Sequence, residues 1–143
     1  MSILLAQTDT TVGFLSTDAK SLEHIKARPS GKQFLKVYPS FKAFKDDGNR
    51  VPQKYKNRVR RAARTTFIIK GRASRIVKDP IHLKLLKKYS WLYSTSANKS
   101  GCGFDKDFCI TKSDIIIEDS RGFKEDTPSS LYKIGNTKMR RFR

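Results

Sequence analysis

A chain of 143 residues has room for one domain and can bury roughly two thirds of its unfolded surface. Its 37% apolar content suits a globular protein rather than a disordered one, and its 31 Lys and Arg against 13 Asp and Glu leave a net charge of +18. Self-repulsion on that scale calls for a polyanionic partner, and the charge is concentrated rather than spread. From Phe41 to Lys78 there are thirteen basic residues against only Asp46 and Asp47, and Lys138 to Arg143 add four cations and no acid. The opening apolar run, Ile3 to Ala6, is too short for a signal peptide or a membrane span. Cys102 and Cys109 have no nearby His, which makes them a poor zinc site; they read as reduced thiols of a cytoplasmic protein. There is no Walker-type glycine loop, no H-E-x-x-H and no G-x-S-x-G.

In chain order, Ile3 to Gln7 reads as a strand and Val12 to Leu15 as a second one after a Thr/Asp turn. Ala19 to Lys26 has helical spacing, with Asp18 placed to cap it and Pro29-Ser30-Gly31 to stop it. Phe34 to Tyr38 is a short strand. Residues 40–64 are basic and irregular, with one helix around Lys56 to Ala63. Thr65 to Ile69 is a β-branched run and a strand, as is Arg75 to Val77. Asp79-Pro80 opens a helix over Ile81 to Lys88 with Leu83 and Leu86 inward. Further strands are expected at Trp91 to Ser94, Asp114 to Ile117, Ser129 to Lys133 and Met139 to Phe142. Helices alternating with many short strands give an α+β fold with α/β-type layers, in a single domain over residues 1–143.

The most distinctive segment is Ser94-Thr95-Ser96-Ala97-Asn98-Lys99-Ser100-Gly101, which follows the strand-like Trp91-Leu92-Tyr93. Small hydroxyl and amide groups at a strand end either satisfy their own backbone or hold a polar, charged small molecule. Gly101 lets the backbone turn. Lys26 and Arg28 stand at a helix end, where they either compensate the dipole or converge on phosphate. His24 and His82 fall on predicted helices without a third partner, and read as structural or exposed.

The order of these segments resembles the YrdC-like family of threonylcarbamoyl-AMP synthases, which act in threonylcarbamoyl-adenosine modification of tRNA. The resemblance rests on Thr8-Asp9-Thr10 with Gly13, Lys26-x-Arg28-Pro29-x-x-Lys32, Arg75 ahead of Asp79-Pro80, the Ser94 to Gly101 block, Pro128-Ser129-Ser130-Leu131 and a closing Arg141. It implies a twisted mixed β-sheet flanked by helices, with a concave basic cavity. It also implies a nucleotidyltransferase that forms threonylcarbamoyl-AMP and pyrophosphate from L-threonine, bicarbonate and ATP, the last as a substrate accompanied by Mg2+. By the same resemblance Lys26, Arg28, Ser96 and Asn98 are catalytic. Thr10, Arg75, Ser94 and Ser129 address threonine, and Lys26, Arg28, Lys32, Ser96, Asn98 and Arg141 hold the nucleotide. No metal bound by protein side chains is implied, and other tRNA-modification proteins would complete the transfer.

Several family features are replaced. Gln7 stands where a Pro is usual, Val12 replaces an aromatic, and Arg60-Arg61-Ala62-Ala63-Arg64 occupies the place of a Trp-Pro-Gly-Pro turn. The chain reads as a shortened, more basic version. A second reading is therefore an RNA-binding protein on the same scaffold, for tRNA or another structured, double-stranded RNA, through Lys54, Lys56, Arg58, Arg60, Arg61 and Arg64. Phe41, Phe44 and Tyr55 lie among these cations, where they either stack on bases or pack in the core.

Overall fold

The computed structural model describes residues 2–27 and 33–143. Its contacts group into two compact units, Met1–Phe34 with Tyr93–Thr127 and Leu35–Leu92 with Pro128–Arg143. In both, a mixed sheet carries helices, as the sequence leads one to expect.

In the first unit, β1 (Leu4–Gln7) and β2 (Val12–Ser16) form a hairpin with Leu4 opposite Leu15 and Gln7 opposite Val12. β2 pairs antiparallel with β6 (Leu92–Ser96), placing Gly13 opposite Ser96 and Leu15 opposite Ser94. On the other side β7 (Ile115–Ile117) runs parallel to β1. Every residue of β1 and β2 is buried, so neither strand shows the alternation of a sheet with one solvated face. Helix α1 (Ala19–Lys26) lies where its spacing placed it, and the Asp18 carboxylate accepts from the Lys20 N–H as the expected cap. Leu22 is its fully buried anchor. It packs with Ile3, Leu5, Val12, Phe14, Phe34, Ala97 and Cys109. Burying such a side chain contributes roughly 1.5–3 kcal/mol. Helix α5 (Lys106–Lys112) was not foreseen. Asp105 caps it by accepting from the Asp107 and Phe108 N–H groups, and it buries Cys109, whose thiol burial pushes up.

In the second unit the strand order is β3 (Leu35–Tyr38), β5 (Arg72–Ile76), β4 (Thr65–Ile69), β8 (Ser130–Ile134), β9 (Met139–Arg141). The β3–β5 and β4–β8 pairs are parallel, and β4–β5 and β8–β9 are antiparallel. Residues 40–64 are more ordered than the sequence indicated. Ser40 caps α2 (Phe41–Asp46), a single 3-10 turn covers Gln53–Tyr55, and α3 (Lys56–Arg61) follows. Phe44, Val51, Tyr55 and Val59 carry this segment into a core with Tyr38, Phe67, Ile69, Ile76 and Ile134. Helix α4 (Pro80–Leu86) starts at the Asp79 cap and buries Leu86 and His82, while Leu83 is only half-buried. Phe44 and Tyr55, two of the rings weighed for base stacking, are therefore core residues. None of the helices among the described residues is long and apolar enough to cross a membrane.

Asp47, just after α2, accepts from the Tyr38 hydroxyl at 2.7 Å and from Lys36 Nζ at 3.0 Å. Partial burial pushes its carboxyl up, but the hydrogen bonds from Tyr38 and Lys36 outweigh that and hold it below the ordinary carboxylate value. A group depressed in the folded state stabilises the fold above its unfolded pKa, and that contribution is lost as pH falls through the folded one. In urea unfolding, the stability difference between the wild type and Asp47→Asn is expected to be level near neutrality. It should shrink as pH drops below 3.8, the ordinary carboxylate value. Packing between β2 and its neighbours makes a second prediction. A Cβ on Gly13 would lie 3.0 Å from Thr8 Cγ2 and 3.1 Å from the Thr95 carbonyl oxygen, whereas one on Gly135 would meet only an ordinary 3.6 Å contact. Gly13→Ala is expected to lower stability by about 1–3 kcal/mol in urea titration, and Gly135→Ala by much less.

Candidate functional site

In the first unit the Lys26 side chain turns back from the end of α1 and buries itself, with 5% of its surface exposed. Its ammonium donates to the Ser96 carbonyl oxygen at 3.0 Å, to the Asn98 carbonyl oxygen at 3.0 Å, and to Asn98 Oδ1. Three oxygens meet three N–H donors. These acceptors are neutral, so they solvate the cation without cancelling its charge. The loop answers in kind: the Ser100 hydroxyl donates to the Lys26 carbonyl oxygen at 2.5 Å, satisfying a terminal helix carbonyl. Ser96 Oγ donates to Asn98 Oδ1 at 3.1 Å, and the Asn98 N–H bonds back to the Ser96 carbonyl at 3.0 Å.

Ala27 ends α1 in the left-handed conformation, φ 50° and ψ 37°, with its N–H on the Glu23 carbonyl. For a residue with a Cβ that conformation costs roughly 1–2 kcal/mol. The Ala27 N–H on the Glu23 carbonyl and the Ser100 bond to the preceding carbonyl hold it there. Gly101 takes φ +79°, in keeping with its expected turning role. The hydroxyl-rich block is also more strand than the sequence indicated, because Ser94, Thr95 and Ser96 belong to β6 and only the residues from Ala97 on form the loop.

Thr8 and Thr10, both buried, shape the β1–β2 turn. Thr8 Oγ1 donates to the Thr11 carbonyl at 2.6 Å and accepts from the Thr10 N–H at 3.2 Å. Ser94 is buried on β6. Gln7, in the place of the usual Pro, has a structural task. Its Oε1 accepts from the Lys124 N–H at 2.9 Å, and its carbonyl accepts from Arg121, itself paired with Asp119 at 2.8 Å. Together these bonds tie residues 119–124 to the end of β1. Arg28 and Lys32 lie outside the described residues.

In the second unit Arg75, Thr66 and Ser129 are brought together and buried. The Thr66 and Ser129 hydroxyls are 2.7 Å apart, and Arg75 Nη1 is 3.5 Å from Thr66 Oγ1. Arg143 joins them, its Nε donating to the Ser129 carbonyl at 2.8 Å and its Nη2 reaching Ser129 Oγ at 3.4 Å. Thr66 and Arg143 escaped sequence reasoning. Thr66 sits inside a β-branched run whose buried polar face only strand pairing reveals, and Arg143 is one of four cations in the tail. Arg141 is elsewhere. It stands opposite Tyr132 in the β8–β9 register, exposed, with its guanidinium 5.9 Å from that ring. Two guanidinium groups around a hydroxyl pair are suited to a carboxylate or phosphate oxygen. Among the described residues no group of His, Cys, Asp and Glu could hold a metal ion.

The sequence matches no family model. It is similar to the Uncharacterized protein MG259 homolog of Mycoplasma pneumoniae, with 27% identity over 138 residues, 89% of this chain. The chain spans 29% of that relative's length. Solved structures are closer in shape than in sequence. The P. abyssi Sua5 structure complexed with L-threonine superposes with a TM-score of 0.77 at 19% identity, covering 96% of this chain and 48% of that one. E. coli YciO gives 0.77 at 17% identity, covering 99% of this chain and 82% of the other. MTH1692 from Methanobacterium thermoautotrophicum gives 0.72 at 18%, covering 99% and 79%. With nearly the whole chain superposed, the chain has the YrdC-like fold.

Proposed function

We propose that this chain is a threonylcarbamoyl-AMP synthase of the YrdC-like kind. The observation that carries the reading is the buried Lys26 ammonium gathered onto the Ser96 and Asn98 oxygens, because it joins two sequence-distant segments that the resemblance assigns to one nucleotide. The amine of L-threonine takes up bicarbonate, losing water, to give a carbamate. A carbamate oxygen then attacks the α-phosphorus of ATP, the bond from that phosphorus to the β-phosphate bridging oxygen breaks, and pyrophosphate leaves. Such a displacement needs placement and charge stabilisation more than an acid or base. Lys26, with Arg28 and Lys32, would supply positive potential to the phosphates. Ser96 and Asn98 would orient the reacting groups, and the resemblance also assigns Arg141 to the nucleotide. On the amino-acid side, the resemblance assigns Thr10, Ser94 and Ser129 to threonine. Arg75, held beside Thr66 and Ser129, would face the threonine carboxylate, in line with the bound L-threonine of the Sua5 neighbour.

Pyrophosphate release by the wild type should require ATP, threonine and bicarbonate together. Lys26→Ala should lower the rate by about a hundredfold or more, because it removes both a charge and the anchor of the Ser96–Asn98 turn. Threonine-independent release, or none, would count against the synthase reading.

A second reading, RNA binding, is favoured by one observation. The cationic helix α3 lays guanidinium groups on aromatic rings, Arg58 at 5.0 Å from the Tyr132 centroid and Arg60 at 4.7 Å from Phe41. Lys54, Lys56, Arg61 and Arg64 surround them in sequence and would contact phosphates.

A further inference from the structure

The second unit's sheet has two differently equipped faces. Because side chains alternate along a strand, Thr66 and Ser129 point to one face and Thr65, Phe67, Ser130 and Tyr132 to the other. In the β4–β8 register Thr65 stands opposite Ser130 and Phe67 opposite Tyr132. The Phe67 and Tyr132 rings lie side by side, centroids 5.9 Å apart and planes 29° apart. On this second face α3 packs through Val59, leaving between its C-terminal end and the two strand starts a groove of about 430 Å³. Asn57, Arg58, Arg61, Thr65, Ser130 and Tyr132 line it. None of the residues assigned above to threonine or ATP is among them, although the Arg141 guanidinium lies 5.9 Å from the Tyr132 ring centroid.

We infer that this groove holds one unpaired nucleotide, its base stacked against Tyr132 and the Arg58 guanidinium and its phosphate on Arg61. The volume lies within the range of small-ligand clefts, about 300–1,000 Å³. Tyr132 offers a ring anchored by its neighbour Phe67, and Arg58 a planar cation 5.0 Å from that ring's centroid, the two surfaces on which unstacked bases are held. Asn57 Oδ1 accepts from Arg60 Nη1 at 2.7 Å, which turns its NH2 group the other way as a donor for a base edge. The Thr65 hydroxyl donates to the Ala63 carbonyl at 2.8 Å, so its oxygen presents acceptor lone pairs. An acidic peptide would satisfy the arginines but make no use of the ring. The concentration of thirteen cations between Phe41 and Lys78 favours a strand of RNA over a free nucleotide as the source. This inference rests on the RNA-binding reading, narrows it from double-stranded to unpaired RNA, and is independent of synthase activity.

The test is fluorescence anisotropy with a labelled single-stranded oligo-uridine, a blunt RNA duplex of equal length, and unlabelled UMP and poly-glutamate as competitors. The single strand is expected to bind tighter than the duplex. Tyr132→Leu should weaken it about tenfold or more with its salt dependence unchanged, while Tyr132→Phe binds like the wild type. Arg61→Gln should flatten the log–log salt slope by roughly 0.7, whereas Arg58→Gln should weaken binding with little change in that slope. These arginines are exposed, so their variants keep the test decisive if Tyr132→Leu does not fold. Displacement by UMP at the same groove, abolished in Tyr132→Leu, would support the site with a free nucleotide as its source. Equal binding of single strand and duplex that is indifferent to Tyr132, or displacement by poly-glutamate as effective as by oligo-uridine, would overturn it. Pyrophosphate release measured on the same samples separates the two readings, since its absence would leave this result standing.

Discussion

The first unit depends on a reciprocal clamp between the end of α1 and the loop after β6. The Lys26 ammonium solvates itself on the Ser96 and Asn98 oxygens, and Ser100 returns a hydrogen bond to the Lys26 carbonyl. Burying an ammonium ion is expensive unless oxygens replace its water, so the loop can hold Lys26 only in one arrangement. The same bonds fix the loop, because the carbonyls that serve the cation must all point at one place. Around this clamp the other features become intelligible. Asp18 starts α1 at the right residue, Leu22 anchors it, and Ala27 accepts a left-handed conformation to end it immediately after the lysine. Gly13 leaves room for β1, β2 and β6 to approach closely enough for the loop to reach the helix end.

The second unit solves a different problem, how to keep guanidinium groups close to a sheet without scattering them. On one face strand pairing buries Arg75 beside the Thr66 and Ser129 hydroxyls, and Arg143 secures Ser129 from the tail. On the other, α3 covers the apolar part of the sheet with Val59 and leaves its arginines over Tyr132 and Phe41. Cations in the last turn of a helix are themselves favoured by the backbone dipole, so the cluster costs α3 little. The basic segment that replaces a rigid turn is therefore a folded structural element with a chemical face of its own.

Much of this was legible beforehand. The α1 boundaries and the Asp18 cap followed from spacing and cap chemistry, and the β-branched run Thr65–Ile69 is the observed β4. Gly101 turns with positive φ. Helices α2 and α5 were missed because each is short and rich in aromatic or β-branched residues, which masks helical periodicity. Their caps, Ser40 and Asp105, were the available signals. Base stacking by Phe44 and Tyr55 was an open alternative to core packing, and both rings lie in the core. The exposed side of the same core instead presents Tyr132, whose strand was foreseen but whose facing was not.

The sequence by itself determined the concentration of charge, the strand and helix nuclei, and the set of hydroxyl, amide and basic segments from which a site can be built. Those depend on local preference and composition, which a one-dimensional pattern carries. Only the tertiary structure decided that Lys26 meets Ser96 and Asn98 across 70 and 72 residues of chain, and that Arg143 rather than Arg141 reaches Ser129. Only it decided which side of β8 presents Ser129 and which presents Tyr132. Such choices are made by strand register, where a slip of one residue exchanges the two faces of a sheet, and register is a property of the packed whole.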